Sequence, residues 1–337
     1  MKYTAFVWFC VSLTLFSCSN DFELTEKGKE TPLVYGLLSP NDTAIYVRVE
    51  KTFINEEVEP AVLAQDPTNL YYENIEVILR NTNTPSQAYK LEKVDGNLEG
   101  YPREAGFFVQ APNILYKLKK DNLPGGNLED NKQYELIVRE ADGKVLASAK
   151  TQVLRALTEK DITSPSSSAS LAFDYSRDFN LSFRSDPFAY IHDIYLTIYF
   201  SEEKDGILSE KSLRWPIVRN LNANQPNNLN IQYAFKGRAF YEFLKSNLTE
   251  DPKISRFLKF ASVEIASGGL ELRDYINIVQ ANLGITSSGE IPSYTNVNNG
   301  IGLFSSRTSV RRDNVSFALM TRDSIANGII TKNLNFR

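Results

Sequence analysis

Cysteine, histidine, methionine and tryptophan are all scarce in this sequence of 337 residues, which contains two, one, two and two of them. Two cysteines form at most one disulfide, so the protein is not a disulfide framework and must depend on apolar cores. A single histidine, His192, together with so few cysteines, does not supply the usual ligands of a zinc site. We therefore expect no metal and no cofactor.

Neither sign of charge is in large excess, because 37 basic and 41 acidic residues give a formal net charge of −4. Nucleic-acid binding requires a concentrated basic face, so we expect no nucleic-acid partner. After residue 16, no apolar run approaches the ~20 residues that cross a bilayer as a helix. The chain is long enough to bury two hydrophobic cores.

The first 18 residues carry the strongest local signal. A basic start precedes an apolar run over residues 4–16, which is too short to span a bilayer and is followed by Ser17 and Cys18. This pattern is typical of a secretory signal peptide over residues 1–17, with cleavage between Ser17 and Cys18. The ending Leu-Phe-Ser-Cys resembles the lipobox of bacterial lipoproteins, although Phe16 stands where a small residue is usual.

The lipobox resemblance implies a palmitate-type acyl group on Cys18. It also implies an anchor in the outer membrane, on the cell surface or on the periplasmic face. The alternative is an ordinary signal peptide with an unmodified cysteine. Residues 18–30 are polar and mixed in charge, as expected of a solvated tether. At ~3.3 Å per residue, the twelve residues that follow Cys18 reach at most about 40 Å.

Residues 31–157 predict a β-rich domain. Residues 133–140 and 145–153 alternate in polarity on either side of an Asp142-Gly143 pair, and Asp-Gly between two such runs predicts a hairpin. The Tyr-x-Leu-x-Val and Ala-x-Thr-x-Val patterns resemble the closing hairpin of fibronectin-type and other immunoglobulin-like sandwiches. We expect a β-sandwich of that class, with further strands that include 44–51, 87–94 and 107–109.

A serine-rich segment at residues 158–170 predicts a linker, because serine repeats with one proline bury little apolar surface. The alternative is a crossing between two sheets of one larger fold. Residues 171–337 predict a second β-sandwich-like domain, which begins with a strand over 171–175. Apolar residues at helical spacing predict two helices packed on its sheet, one over about 238–248 and one ending at Gly284.

Residues 291–307 are the most distinctive stretch outside the signal. Within them, Asn-x-x-Asn-Gly-Ile-Gly-Leu-Phe resembles a signature near the end of a family of Bacteroidota lipoproteins of unknown function, whose members also have a lipobox and a strand like residues 32–38. The resemblance implies an accessory of outer-membrane β-barrels of the TonB-dependent type and supplies no catalytic residue. From the residues themselves, Gly300 and Gly302 predict a tight bend that returns the last strands to the sheet.

His192 is the only candidate for a histidine general base, and Asp193 is the acid beside it. Neighbours in a strand point to opposite faces, so we expect no pairing between them. Adjacent acids at 56–57, 129–130 and 202–203 leave a carboxylate-based hydrolase as the least favoured alternative. Residues 121–130 would bind Ca²⁺ only weakly, through carbonyls. We therefore expect no catalytic residues and no enzyme activity.

Trp215 is the only tryptophan after the signal peptide. If exposed beside tyrosines it would stack on sugar rings, which makes it the candidate ligand-facing aromatic of a surface glycan-binding protein. Arg307, Arg311 and Arg312 form a small basic cluster that would reach lipid phosphates or an acidic partner. The alternative is that they line a solvated strand face. The leading interpretation is a non-enzymatic, outer-membrane-anchored binding or accessory subunit. Its partner would be a β-barrel of TonB-dependent transport, or secretion or motility machinery.

Growth with labelled palmitate tests the anchor. We expect label in the wild-type protein and none in Cys18→Ala, because the acyl chain needs the cysteine sulfur. A Ser19→Ala variant is the control and should keep the label. Label retained by Cys18→Ala would overturn the anchor.

Overall fold

The computed structural model describes residues 30–53, 58–222, 229–284 and 293–337. The predicted signal peptide, Cys18 and the tether up to residue 29 lie outside the described residues, so the anchor stays a prediction. From Thr31 to Arg337 the chain forms one compact unit. Among the helices in the described ranges, none is long and apolar enough to cross a membrane.

The described residues are mostly in β-strands, numbered here in chain order. The strands are β1 Pro32–Leu38, β2 Ala44–Lys51, β3 Ile75–Asn81, β4 Ala88–Lys90, β5 Glu92–Asp95, β6 Ile114–Lys119, β7 Gln133–Glu140, β8 Val145–Gln152, β9 Ile162–Ser164, β10 Asp178–Arg184, β11 Ile191–Lys204, β12 Ile207–Asn222, β13 Asn230–Lys236, β14 Ile254–Gly268, β15 Val297–Asn298 and β16 Ile301–Val315. The α-helices are α1 Pro60–Leu63, α2 Pro67–Leu70, α3 Arg238–Asn247, α4 Leu270–Gly284 and α5 Leu319–Asn327.

These strands form three sheets. The largest has eight strands in the order β12-β11-β14-β16-β1-β2-β6-β5. A five-stranded sheet has the order β15-β8-β7-β3-β4, and a three-stranded sheet has the order β13-β10-β9. Both smaller sheets pack against the large one, each over a different part of it.

An N-terminal sandwich forms where β1, β2 and β6 face the five-stranded sheet. Ile45, Val47 and Val49 alternate along β2 and point inward, where they share a buried cluster with Leu136 of β7. The turn between β7 and β8 has Gly143 at a φ of +93°, as the Asp-Gly pattern predicts. The mostly β class and the N-terminal sandwich are confirmed.

A second, aromatic-rich core lies between the three-stranded sheet and β11, β14 and β16. Helix α3 packs into it through Phe240, Tyr241 and Leu244, which lie on one helical face. Both predicted helices are confirmed, at Arg238–Asn247 and at Leu270–Gly284. Helix α5 was not predicted, because its apolar residues do not follow one face.

Strand β16 is shared by the two halves of the fold. Its first part, from Ile301 to Ser306, pairs in parallel with β1. Its second part, from Arg307 to Val315, pairs antiparallel with β14. The eight-stranded sheet is therefore continuous only through this strand.

The distinctive segment before β16 builds the bend that the sequence predicts. The side-chain amide of Asn296 donates to the Phe304 carbonyl at 2.7 Å, and the Phe304 N–H donates back to the Asn296 side-chain oxygen at 2.9 Å. Asn299 turns the chain with a φ of +56°. Gly302, at a φ of +132°, lies so close to β1 that a Cβ would be 1.9 Å from the Val34 carbonyl oxygen.

Residues 158–170, predicted as a linker between two domains, are ordered within the compact unit that runs from Thr31 to Arg337. Glu159–Asp161 is a short 3₁₀ turn capped by Thr158, and β9 follows it directly. The buried Arg312 guanidinium donates to the carbonyls of Glu159, Ile162 and Pro165. These long-range bonds order a segment whose composition alone resembles a linker, although the two cores on either side of it stay distinct.

Three strand predictions also differ from the structure. Residues 107–109 lie in the loop between β5 and β6, and residues 171–175 make only an isolated bridge at Leu171. Residues 87–94 form two strands in different sheets, because the chain changes sheet at the buried Leu91. Short apolar alternation is common to strands and to loops that bury alternate side chains, so the pattern did not separate the two.

A methyl group at Gly302 should disrupt the pairing of β1 with β16. We expect Gly302→Ala to lower the free energy of unfolding by about 3 kcal/mol or more, since both the positive φ and the Val34 carbonyl oppose a Cβ. Urea unfolding measures the effect. Gly106→Ala, where a Cβ meets nothing within 4 Å, is the control and should change little. Equal stability of the two variants would contradict the close approach.

Candidate functional site

The candidate site is on the outer face of the eight-stranded sheet, which we define as the face turned away from both cores. Two cavities lie there, of about 180 Å³ and about 320 Å³. Both are lined by Asp42 and Arg307, so they adjoin at these two residues. We call the first the small cavity and the second the tyrosine groove.

The small cavity is where helix α4 lies against the ends of β11, β14 and β16. Its apolar lining includes Ile191, Leu272 and Ile276, and Asp193 is among its polar residues. A Cβ at Gly268 would come within 2.7 Å of Leu272 and 3.0 Å of Ile191. Glycine at this position therefore allows the helix to approach the sheet and sets the width of the cavity.

The tyrosine groove lies on β1, β2 and the loop that precedes β6. Tyr35, Tyr46 and Tyr101 line it together with Arg48. The rings of Tyr46 and Tyr101 are 4.8 Å apart and tilted by 58°, and the Tyr46 hydroxyl donates to Glu99 at 2.9 Å. Burial, more than any neighbouring charge, raises the pKa of Tyr35 and of Tyr46, so both phenols are neutral near pH 7.

Arg307 stands between the two cavities and is held by the turn that connects β1 and β2. Its guanidinium donates to Asp42 at 2.9 Å, while the Asn41 side-chain oxygen accepts from Thr308 Oγ1 at 3.1 Å and from the Ser309 N–H at 3.0 Å. About half of the Arg307 side chain remains exposed. The turn therefore fixes the direction of an arginine that stays accessible to a partner.

His192 lies at the edge of the small cavity but is buried among hydroxyl groups. Its Nδ1 is 2.8 Å from the Ser267 hydroxyl, and its Nε2 is 3.5 Å from the Ser185 hydroxyl. Burial lowers the pKa of His192 to about 4, which the Asp193 charge only partly opposes. Asp193 itself accepts from the Tyr195 hydroxyl at 2.7 Å. The prediction that His192 and Asp193 do not pair is confirmed.

Trp215 is not ligand-facing, which corrects the glycan-site prediction for this residue. It is only 9% exposed and belongs to the second core. Its ring stacks on Phe243 at 5.3 Å and meets the edge of Phe235 at 5.3 Å. Helix α3 packs over Trp215 on β12. The sequence of residues 211–218 does not indicate that a helix covers this strand.

The predicted arginine cluster is divided between the two faces of β16. Arg311 pairs with Asp313 at 2.7 Å on the outer face, whereas Arg312 is buried against backbone carbonyls. Arg311 and Arg312 are consecutive in β16, and alternation along the strand places them on opposite faces. Of the three, Arg307 lines both cavities described above.

The predicted acidic pairs that lie in the described part of the chain make structural contacts. Glu202 binds the buried Arg256 at 2.8 Å, and Glu129 accepts from the Asn81 amide at 3.1 Å. Residues 56–57 lie outside the described part of the chain. Within that part, no group of three or more histidine, cysteine or acidic side chains is arranged to hold a metal ion.

Sequence reasoning did not identify the residues of the tyrosine groove. Tyr35 and Tyr46 occupy the outward positions of two alternating strands, which is a signal for an exposed face but not for a site. Their assembly with Arg307 depends on the pairing of β1 with β16, which joins residues more than 260 positions apart.

No protein-family model and no curated protein matches the chain. Solved structures give weak likenesses. The fibronectin domains FN1–FN3 of chicken CNTN1 are 7% identical over 85% of this chain and 66% of that chain, with a TM-score of 0.18. The C-terminal globular domain of an oligosaccharyltransferase from Pyrococcus abyssi is 10% identical over 68% of this chain and 42% of that chain, with a TM-score of 0.22.

A third structure, CBD12 from CALX1.2, is 10% identical over 82% of this chain and 97% of that chain, with a TM-score of 0.19. The chain spans less than two thirds of the length of the first two structures. With TM-scores this low, none of the three carries an argument about the function of this chain.

Mild acid should destabilise the protein through His192. Because the folded pKa is about 4 and the ordinary value is 6.5, the unfolded chain binds the proton more readily between these values. The stability that the neutral imidazole contributes is complete above pH 6.5 and is lost as the pH falls toward 4. We expect the free energy of unfolding to fall by about 2 kcal/mol between pH 7.5 and pH 5.

Urea unfolding of the wild type and of His192→Gln at both pH values measures this effect. The variant should show a smaller loss, because it lacks the imidazole while all carboxylates remain. Asp186, whose pKa is raised by burial, titrates in both proteins and cancels in the comparison. An equal pH dependence of the two proteins would contradict the burial of a neutral His192.

Proposed function

We propose that this protein is a lipid-anchored, non-enzymatic binding subunit of the outer membrane. Its partner would be an outer-membrane β-barrel of transport, secretion or motility machinery. The observation that carries the binding role is the tyrosine groove with Arg307 at its end, on strands that are paired on both sides. The membrane location rests on the lipobox resemblance of residues 15–18.

The composition of the groove favours a protein partner. Tyrosine and arginine dominate the energetics of protein interfaces, because a ring or guanidinium gives a large contact area and keeps hydrogen-bonding groups. Tyr35, Tyr46, Tyr101 and Arg307 provide both kinds of contact over one surface. Rigid strands reduce the entropy that such side chains lose on binding.

The small cavity suits an anchoring side chain better than a metabolite. Its volume of about 180 Å³ is below the ~300 Å³ at which pockets for small-molecule ligands begin. An apolar side chain from a partner would meet Leu272 and Ile276, and its backbone would lie near Arg307 and Asp193. The two cavities would then bind one continuous surface of a partner.

Two further observations support binding over hydrolysis. The imidazole of His192 is buried between two serine hydroxyls, and the Glu202 carboxylate is held by the Arg256 guanidinium. Both groups are engaged in contacts that hold strands together. A hydrolase would instead present two acids to a cleft, at the separations that glycoside hydrolysis requires.

A glycan-binding protein is the second candidate. Although Trp215 is buried, one observation favours this candidate. Three other aromatic side chains are exposed in one loop: Tyr101, Phe107 and Phe108. Binding of soluble glycans that is lost in Tyr101→Ala and kept in Trp215→Phe would support this candidate.

Copurification from intact outer membranes after crosslinking tests the leading proposal. We expect Arg307→Ala to reduce the amount of β-barrel recovered by ~10-fold or more, as for a hot-spot arginine. Arg214→Ala is the matched control, because Arg214 is 53% exposed against 54% for Arg307 and also pairs with one carboxylate. Recovery of the wild type only as a free monomer, or equal effects of the two variants, would count against the proposal.

A further inference from the structure

The chain enters the described fold at one end of the N-terminal sandwich. The Thr31 N–H donates to the Thr52 hydroxyl at 2.9 Å, and Pro32 lies opposite Lys51 at the end of β2. Any segment that leads from Cys18 to the fold therefore arrives at this end. Its thirteen residues, 18–30, span at most about 43 Å.

The loop between β5 and β6, residues 96–113, lies at the same end. Because β5 and β6 are antiparallel with Asp95 opposite Ile114, the loop closes at the end where β2 finishes. Arg103 of the loop pairs with Glu50 of β2. The Val109 N–H donates to the Ala64 carbonyl beside α1 at 2.9 Å, which holds the loop against this helix.

This end concentrates exposed apolar side chains, which we call the aromatic end. Leu98 is 87% exposed, and the other members are between 42% and 60% exposed: Val62, Tyr101, Phe107 and Phe108. The Phe107 and Phe108 rings meet edge to face at 5.2 Å. Several exposed apolar side chains at one end of a fold mark an interaction surface, whereas single ones do not.

We propose that the aromatic end contacts the lipid bilayer and orients the fold on the membrane. This inference rests on the lipid anchor of the proposed function. The predicted tether favours a bilayer over a protein as the contact of this surface. It joins the fold beside the aromatic end, and it is short enough to hold this end near the lipid. Aromatic rings favour the boundary between headgroups and acyl chains.

The charged side chains of the loop lie outside its apolar tip. Arg103 lies 5.7 Å from the Phe108 ring centroid and pairs with Glu50, so its guanidinium supports the aromatic surface from within the fold. Residues 105–109 contain no charged side chain. The loop therefore presents an apolar tip that follows Arg103 and the exposed Glu104.

The orientation has a consequence for the tyrosine groove. Tyr101 belongs both to the aromatic end and to the groove, so the groove would lie next to the bilayer surface. There the groove could contact the part of an outer-membrane protein that emerges from the bilayer. The opposite end of the sheet, at the turn between β11 and β12, would then point away from the membrane.

The position of that turn follows from the strand register. Strand β16 starts beside β1 and runs 15 residues, a length of ~45 Å when straight. Strand β14 continues past its other end to Ile254, which lies opposite Lys204 at the β11–β12 turn. Ile207 in this turn is 72% exposed and provides a control site distant from the aromatic end.

The scarcity of cysteine makes a direct test possible. With Cys18 acylated and the signal peptide removed, a cysteine introduced as Phe107→Cys, Leu98→Cys or Ile207→Cys is the only free thiol. Each full-length lipidated variant is labelled with nitrobenzoxadiazole. It is then reconstituted into phosphatidylethanolamine and phosphatidylglycerol vesicles that contain nitroxide-bearing lipid.

We expect the fluorescence at positions 107 and 98 to be quenched about twofold or more, because interfacial groups sit ~5–10 Å deep, within reach of the nitroxide. The fluorescence at position 207 should be unchanged. The Leu98→Cys variant keeps the test valid if Phe107→Cys folds poorly, since Leu98 is almost fully exposed.

Four results would overturn the proposal or the anchor on which it rests. Anchored protein with no quenching at either 107 or 98 overturns the bilayer contact alone, and equal quenching at 207 overturns the fixed orientation. Shielding of both reporters only when outer-membrane proteins are added assigns the surface to a protein partner instead. Protein that fails to float with the vesicles overturns the lipid anchor itself, which separates failure of the proposed function from failure of this inference.

Discussion

The pairing of one strand with two different partners is the constraint on which the rest of the structure depends. β16 runs parallel to β1 and then antiparallel to β14, so it joins two apolar cores through one continuous sheet. The close approach at Gly302 and the side-chain bonds of Asn296 set its register. A shift of one residue would exchange its two faces and would bury Arg307 while exposing Phe304. Both cavities of the outer face are therefore located by this strand.

Where β16 changes partner, its side chains change from apolar to hydroxyl-bearing. Ser305 donates to Glu271 at 2.9 Å, and Thr308 donates to Asn41 at 3.1 Å. His192 and Ser267 continue this polar layer across β11 and β14. Buried hydroxyls are costly without partners, so their hydrogen bonds favour a single arrangement of strands at the junction. The layer also explains why the two cores touch the same sheet and remain separate clusters.

The candidate surfaces lie on either side of this junction. The tyrosine groove follows β1 and β2 toward the aromatic end, whereas the small cavity lies on the other side of Arg307, under α4. A partner seated in both cavities would cross the junction strand itself. The proposed binding at the groove and the proposed contact with the bilayer would be linked through Tyr101, which belongs to both surfaces.

Local pattern was sufficient wherever the cause is local. The Gly143 hairpin, helix α3 and the bend before β16 follow from turn residues and periodicity, and His192 and Asp193 diverge because a strand alternates. By itself the sequence determined the mostly β class and helices α3 and α4 of the second half. Only the tertiary structure decided that Arg312 orders the serine-rich segment, that Trp215 is covered by α3, and that Tyr35 and Arg307 share a surface. Each depends on packing between segments that are separated along the chain, which leaves no trace in neighbouring residues.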